Sequence, residues 1–247
     1  DEAGEEEDGP EDPYLVDDEP LDHERGMNRF VWDLRYPAPD VIEGTRFSLA
    51  YTGGAWAPPG EYRIRVSTGA GSRAVAATVD PDPRKEAVTR ADLEAQFDLT
   101  LQVRARLSQV HDAVREIRSI REQARGLVAS AEVLDHPEET VEELEEAVDA
   151  LDEALIAVEE ELIQTRSESG QDPINFPPKL DDQLAYLYSH VTNSYGRPTE
   201  GAYERYEDLL AETAPHLREL ERIVEEDVAA LNRRLAELEV GPVVTRR

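Results

Sequence analysis

The chain has 247 residues, of which 39% are hydrophobic and 33% charged, and its 56 acidic against 26 basic residues give a formal net charge of −30. A surface this acidic repels phosphate backbones and anionic lipids, which argues against nucleic-acid and membrane-surface binding. Cysteine is absent, which excludes disulfides and thiolate metal sites. No run approaches about 18 apolar residues, so no membrane span is predicted. No signal-peptide pattern is visible.

Basic charge is carried almost entirely by arginine, because Lys85 and Lys179 are the only lysines. High acidity with scarce lysine is typical of proteins from high-salt organisms, in which carboxylates hold water and cations and salt screens their repulsion. The sequence therefore indicates a salt-adapted source. An ordinary acidic protein with a solvated surface is the alternative.

The first segment, residues 1–24, holds 13 Asp or Glu and no Lys or Arg. A block of like charge with few apolar residues cannot offset the entropy of ordering, so this acidic tail is predicted to be mostly disordered. It lacks the spacing and glycine of a calcium loop, and no metal site is predicted in it.

Apolar residues then alternate with polar ones in four short runs, bounded by glycine and proline. Strict alternation is typical of half-buried antiparallel strands. The pattern predicts a small immunoglobulin- or fibronectin-like β-sandwich over residues 25–82, with strands at 28–34, 45–51, 61–66 and 73–79. Asp80–Pro83 is predicted to be a stiff linker after the sandwich, because proline cannot donate to a sheet.

Beyond the linker the apolar period becomes helical. An antiparallel helical bundle is predicted over residues 88–240, with helices at about 89–130, 138–166, 181–193 and 199–238. Thr89 is the predicted N-cap of the first helix, and Pro215 is predicted to kink the last. The second helix carries a 3-4 spacing typical of a coiled-coil seam, formed by Val141, Leu144, Val148, Leu151, Leu155, Val158 and Leu162. The predicted fold class is therefore α+β, a sandwich followed by a bundle with long, coiled-coil-like helices.

No catalytic, cofactor-binding or metal-binding residue is predicted. The many carboxylates are expected on solvated helix faces, away from the dry pocket that acid–base catalysis requires. The five histidines form no zinc motif and are expected at the surface or at helix ends. Trp32 is expected in the sandwich core, whereas Trp56, in a Gly/Pro-rich loop, is the predicted exposed aromatic contact. The two cores are expected to use up the apolar residues and to leave no pocket with a buried, pKa-shifted group.

Several separated segments resemble the C-terminal region of sortilin-type β-propeller proteins, which carry BNR repeats and are often catalogued as glycosyl hydrolases. The similarity spans roughly residues 24–243, and is carried by the segments 26–37, 57–64, 80–84, 92–99, 177–184 and 198–204. The Trp-Asp pair followed by Pro-Gly-x-Tyr also resembles the sandwich of flagellar hook-capping proteins. In the family the propeller precedes this region, and no propeller blades occur in this sequence.

The resemblance implies a non-catalytic structural or protein-interaction module, working outside the cytoplasm with a propeller domain or another protein as partner. Any hydrolase activity would belong to the propeller, so no catalytic position is carried over. The helical seam also allows self-association. The alternative function is a carbohydrate-active protein or carbohydrate-binding accessory that uses the sandwich, with Trp56 as the first residue to test.

Overall fold

The structure, a computed structural model, describes residues 25–48, 50–69, 71–134, 136–167 and 172–245. The acidic tail predicted to be disordered, residues 1–24, lies outside the described residues.

The described sheet is a single antiparallel hairpin. It consists of β1 (Gly60–Thr68) and β2 (Gly71–Val79), in a register that runs from Gly60 opposite Val79 to Thr68 opposite Gly71. The predicted β-sandwich is therefore wrong: two of its four strands form the hairpin, and the described residues contain no second sheet to close a sandwich over it.

The first predicted strand, at 28–34, forms no strand, and one isolated bridge, between Arg35 and Trp56, follows it. Leu34 has a φ of 62°, a left-handed conformation that breaks a strand. Phe30 and Val31 are both exposed, so the alternation in this run does not correspond to one buried and one solvated face. The alternation in this run predicted a strand, but the described sheet contains only β1 and β2, so this segment is not part of it.

The second predicted strand, at 45–51, contains Leu49, which lies outside the described residues. The remainder is irregular, with a bend at Ser48, and packs on helices instead of on a sheet, with Phe47 and Ala50 partly buried against the helical core. The apolar side chains of this run are thus covered by the bundle.

Each of the four predicted helical regions contains a helix. The helices are α1 (Arg90–Val133), α2 (Glu138–Leu162), α3 (Asp172–Asn175), α4 (Leu180–Thr192), α5 (Glu200–Arg222) and α6 (Ala229–Glu237), with a π-helical turn, Ile223–Val228, between α5 and α6. Thr89 caps α1: its hydroxyl accepts the N–H of Asp92, whose carboxylate accepts the N–H of Thr89, at 3.2 and 3.0 Å. This is a capping box with aspartate in place of glutamate.

The helices form three rods. The first is α1, whose 44 residues span about 66 Å. Side-chain pairs give the directions: Arg118 bonds Glu159 and Arg125 bonds Asp152, so α2 runs antiparallel to the C-terminal half of α1. Gln96 bonds the C-terminal end of α4, whereas the N-terminal end of α4 lies near the middle of α1. The second rod is therefore α2 followed by α4, both antiparallel to α1, and interrupted between them.

The third rod is α5, the π-helical turn and α6, and it runs parallel to α1. Tyr206 donates to the carbonyl of Gln102, and Arg106 donates to the hydroxyl of Thr213. Pro215 lies inside α5, which continues to Arg222. The π-helical turn follows Pro215 by eight residues, and the apolar stripe continues through it to Leu231 and Leu235.

The predicted coiled-coil seam of α2 is buried inside the chain. From Leu144 to Leu162 its apolar residues are fully or nearly fully buried against α1 and the third rod. This face is therefore occupied within the monomer and is not free to bind a second copy.

A layer of ion pairs lies beside this seam. The carboxylate of Glu159, which is 3% exposed, accepts from Arg118 at 2.7 Å and from Arg121 at 2.8 Å. Arg121 also donates to Asp152 at 2.7 Å. Buried carboxylates need such partners, so this layer fixes α2 against α1.

Candidate functional site

The segment 37–48, which we term the strap, crosses the outside of α1 and turns at Glu43–Gly44, where the N–H of Thr45 donates to the carbonyl of Ile42 at 3.1 Å. The backbone N–H of Asp40 donates to the hydroxyl of Ser108 at 2.9 Å, and the carboxylate of Asp40 accepts from Arg115 at 2.6 Å. Val41 and Ile42 are partly buried against the helical core. The strap is thus held by polar contacts as well as by burial.

His111 holds the middle of the strap from inside the bundle. Its side chain is fully buried, its Nδ1 accepts the N–H of Ile42 at 3.2 Å, and the ring of Phe47 meets it edge-on at 6.0 Å. A nitrogen that accepts this bond carries no proton, so the neutral ring has its hydrogen on Nε2. Burial, with a contribution from the positive charge of Arg115, lowers the pKa of His111 to about 4.

Two adjacent carboxyl groups begin α4 and hold the end of the strap. Asp182 accepts the N–H of Ser48 at 3.0 Å, and the hydroxyl of Ser48 also donates to it. Burial raises the pKa of Asp182, although the bonds from Ser48 oppose the shift. The strap therefore ends on a carboxyl group that is largely removed from water.

Asp181 is the more isolated of the two carboxyl groups. It is 4% exposed, and its Oδ2 lies 3.8 Å from His111 Nε2, beyond hydrogen-bonding distance. His111 Nε2 has no hydrogen-bond partner among the described residues. Burial raises the pKa of Asp181 to about 7; hydrogen bonds from the backbone N–H groups of Asp182 and Asp181 oppose the shift, and the charge of Asp182 adds to it.

A cleft of about 200 Å³ opens beside these carboxyl groups. It lies at the interruption of the second rod, where the chain leaves α2 and before it enters α4. The strap forms one side of the cleft and α1 contributes Arg118. Its polar lining includes Thr45, Arg46, Arg118, Gln164, Asp181 and Asp182.

The arrangement contains a serine, a histidine and two aspartates, but it does not connect them as a nucleophilic triad. The hydroxyl of Ser48 donates to Asp182, while His111 Nδ1 is used by the N–H of Ile42 and Nε2 faces Asp181. No imidazole nitrogen therefore bonds the serine hydroxyl to take its proton. The geometry is suited to binding a polar group instead.

The expectation that histidines and carboxylates lie at the surface is wrong for His111, Asp181 and Asp182, and so is the expectation that no pocket holds a buried, pKa-shifted group. The missed signal is helical spacing. His111 stands four residues after Leu107 and three before Val114, and both of these are fully buried. A polar residue on an apolar stripe is buried with it.

The other histidines are separate from this cluster. His190 is exposed, His136 and His216 are partly buried, and His23 lies outside the described residues. Across the part of the chain that the structure describes, no group of three or more His, Asp or Glu side chains is placed to hold a metal ion.

Trp56, the predicted aromatic contact, is 50% exposed. The guanidinium of Arg35 lies over its ring at 3.6 Å from the centroid, so one ring face is already covered. Trp32 is only partly buried, with its Nε1 donating to the carbonyl of Arg35 at 3.1 Å. Trp56 is not one of the residues that line the cleft.

Comparison with protein families, with curated proteins and with solved structures found no match. In the described ranges, every helix is too short or too polar to cross a bilayer.

Proposed function

We propose that this protein is a non-catalytic protein-interaction module that docks onto a β-rich partner domain through one face of its hairpin. The partner domain is a sortilin-type propeller, as the resemblance of the sequence implies. By the same resemblance the module works outside the cytoplasm, and its composition suits a high-salt environment.

The observation that carries this proposal is the uncovered apolar face of the hairpin. Side chains alternate across a strand, so Ile64 and Val66 of β1 share a face with Val75 of β2, which is paired with Ile64. Their exposed fractions are 44%, 55% and 67%. Contiguous exposed apolar side chains on a folded protein mark an interaction surface.

The small size of the sheet also suits a β-rich partner. Among the described residues, neither β1 nor β2 pairs with a third strand, and an isolated two-stranded hairpin is only marginally stable in water. A partner strand would extend the hairpin, as in β-augmentation. A partner sheet laid over the apolar face would cover its exposed side chains.

More apolar surface lies next to the hairpin. Met27, Phe30 and Val31 are all well exposed, and the segment that carries them is attached to the hairpin by the edge-to-face contact of Trp32 with Tyr62, at 5.3 Å between ring centroids. These side chains extend the proposed docking surface beyond the two strands.

The charge of residues 25–80, which include the hairpin, favours association through this part of the molecule. Residues 25–80 hold seven Arg and five Asp or Glu, whereas the whole chain has a formal charge of −30. An acidic partner from the same environment would therefore meet the least repulsion here.

The test is a binding measurement with Val75→Lys at molar salt, using this chain and a sortilin-type propeller domain. We expect the wild-type chain to form a complex and Val75→Lys to weaken it at least about tenfold, since a lysine on the apolar face places a charge in the interface. Size-exclusion chromatography with light scattering and titration calorimetry would measure this.

Thr78→Lys is the matched control. Thr78 is exposed and paired with Glu61 on the other face of the hairpin, so this lysine should leave binding unchanged. Equal binding by both variants, or no complex with the wild-type chain, would refute the proposal. A wild-type dimer that Val75→Lys dissociates would identify a second copy of the chain as the partner instead.

A further inference from the structure

The cleft at the interruption of the second rod holds opposite charges at different depths. Asp181 and Asp182 line it and are 4% and 7% exposed. Arg46 also lines it and is exposed, and the side chain of Arg118 is 46% exposed. Asp181 and Asp182 therefore form the floor, and the two guanidinium groups lie toward the solvent together with the exposed carboxylate of Glu43.

The floor has hydrogen-bond donors, but no cationic side chain of the described residues is bonded to it. Asp182 accepts from the neutral Ser48, Asp181 accepts from the backbone N–H groups of Asp181 and Asp182, and the nearest imidazole, His111, is neutral with its pKa lowered to about 4. A bound cation would add the positive charge that these neutral donors do not supply.

A second observation concerns a buried donor behind the floor, next to Asp181. His111 Nε2 is fully buried, lies 3.8 Å from Asp181 Oδ2 and has no hydrogen-bond partner among the described residues. Buried donors without partners are rare in folded proteins. A bound cation favours the ionised form of Asp181, and the carboxylate is then a better hydrogen-bond acceptor. A small movement would let His111 Nε2 donate to it.

We propose that this cleft binds a small zwitterion of about amino-acid size, with its ammonium group toward Asp181 and Asp182 and its carboxylate toward Arg46. Arg118 assists, but it already donates to Glu159 at 2.7 Å, which leaves Arg46 as the main anion anchor. This binding function goes beyond the docking role of the hairpin and does not depend on it.

The size of the cleft restricts the ligand. Its volume of about 200 Å³ is below the roughly 300–1,000 Å³ of sites that take drug-sized molecules. The hydroxyl group of Thr45 and the amide of Gln164 supply further polar contacts in the lining. A compact, strongly polar ligand fits this lining better than an extended or apolar one.

The titration of Asp181 makes a specific signature. Burial raises the pKa of Asp181 to about 7, so near neutral pH this carboxyl group is partly protonated. An ammonium group on the floor favours the ionised form, so binding releases a proton. A ligand bound elsewhere on this surface would not produce that release.

The experiment is isothermal titration calorimetry of the full chain at pH 6.5, with glycine, L-alanine and 4-aminobutyrate as zwitterionic probes. Propylamine and propionate serve as probes that carry only one charge. We expect at least one zwitterion to bind at least about tenfold more tightly than either single-charge probe. Repeating the titration in buffers of different ionisation enthalpy should show proton release.

Two variants test the assignment. Asp181→Asn should abolish the proton release and weaken zwitterion binding at least about tenfold, and Arg46→Gln should weaken zwitterion binding while leaving propylamine unaffected. Asp98→Asn, an exposed carboxylate on α1, is the matched control and should behave as wild type. Because Arg46 is exposed, its variant keeps the test valid if Asp181→Asn does not fold.

Three results would overturn the proposal. The first is the absence of heat with all three zwitterions, and the second is propylamine binding as tightly as they do. The third is zwitterion binding that Arg46→Gln leaves unchanged.

Discussion

The Glu159→Ala protein is expected to lose about 3 kcal/mol of unfolding free energy at neutral pH. Glu159 is buried on α2 and accepts from Arg118 and Arg121 of α1. Removing one partner of a buried ion pair costs about 3–5 kcal/mol because the other charge is left desolvated. The lower end applies here because the side chain of Arg118 is 46% exposed and can turn toward water.

Urea denaturation followed by circular dichroism would measure this loss. Glu160→Ala is the matched control, since Glu160 is the next residue on α2 and is exposed. We expect it to change stability by less than about 0.5 kcal/mol. Equal midpoints for the two variants would mean that the carboxylate of Glu159 contributes nothing beyond that of a surface residue.

The second large effect is on the pH dependence of stability, to which His111 and Asp181 contribute in opposite directions. Burial lowers the pKa of His111 from 6.5 to about 4. The unfolded state therefore binds the extra proton between these values, and stability falls as the pH falls through this window. Burial raises the pKa of Asp181 from 3.8 to about 7, so the folded state binds the extra proton and stability falls as the pH rises through nearly the same window.

Asp181→Asn should remove one side of this balance. Between pH 4 and 7 the wild-type contributions of the two groups largely cancel, whereas the variant should lose stability as the pH falls and gain relative to wild type as it rises. Between pH 4 and pH 8, the unfolding free energy of the variant relative to wild type is expected to rise by on the order of a few kcal/mol. Urea denaturation at one-unit intervals of pH would measure it.

The charged groups that face this pair must be considered in the same experiment. They are Asp182 on α4, Arg115 and Arg118 on α1, and Asp40, Glu43 and Arg46 on the strap. Arginine stays protonated throughout the range. Asp182 interacts with Asp181, so Asp181→Asn also removes the effect of that charge, and an Asp182→Asn variant measured alongside separates the two contributions. Stability profiles of wild type and Asp181→Asn that run parallel would rule out a shifted Asp181.

The helical rods could be predicted because their burial follows local spacing. Leu144, Val148 and Leu151 recur at four and three residues, and that spacing alone places them on one face. The predicted end of the second helix, at 166, passes the observed end at Leu162 because the residues after it leave the apolar stripe and turn into the cleft. Boundaries of this kind depend on tertiary contacts.

Local spacing could not distinguish a β-sandwich from the single hairpin that the structure contains. Alternation in β1 and β2 correctly indicates strands, but it does not specify whether a second sheet within the chain covers their apolar face. The cleft was equally hidden, because it depends on contacts distant in sequence: Ser48 meets Asp182 across 134 positions and Ile42 meets His111 across 69. Only the place of His111 on the stripe of α1 was visible beforehand.

The π-helical turn at Ile223–Val228 has a consequence for the phase of the third rod. Its first and last residues, Ile223 and Val228, are both buried and are five positions apart. In a regular α-helix, five residues overshoot a full turn by about 140°. The wider turn, with its i to i+5 hydrogen bonds, absorbs the surplus residue, so Leu231 and Leu235 return to the core side. The rod thus joins two apolar stripes that are out of step in sequence, and deleting one residue from the turn would leave a regular α-helix in which Leu231 and Leu235 still face the core.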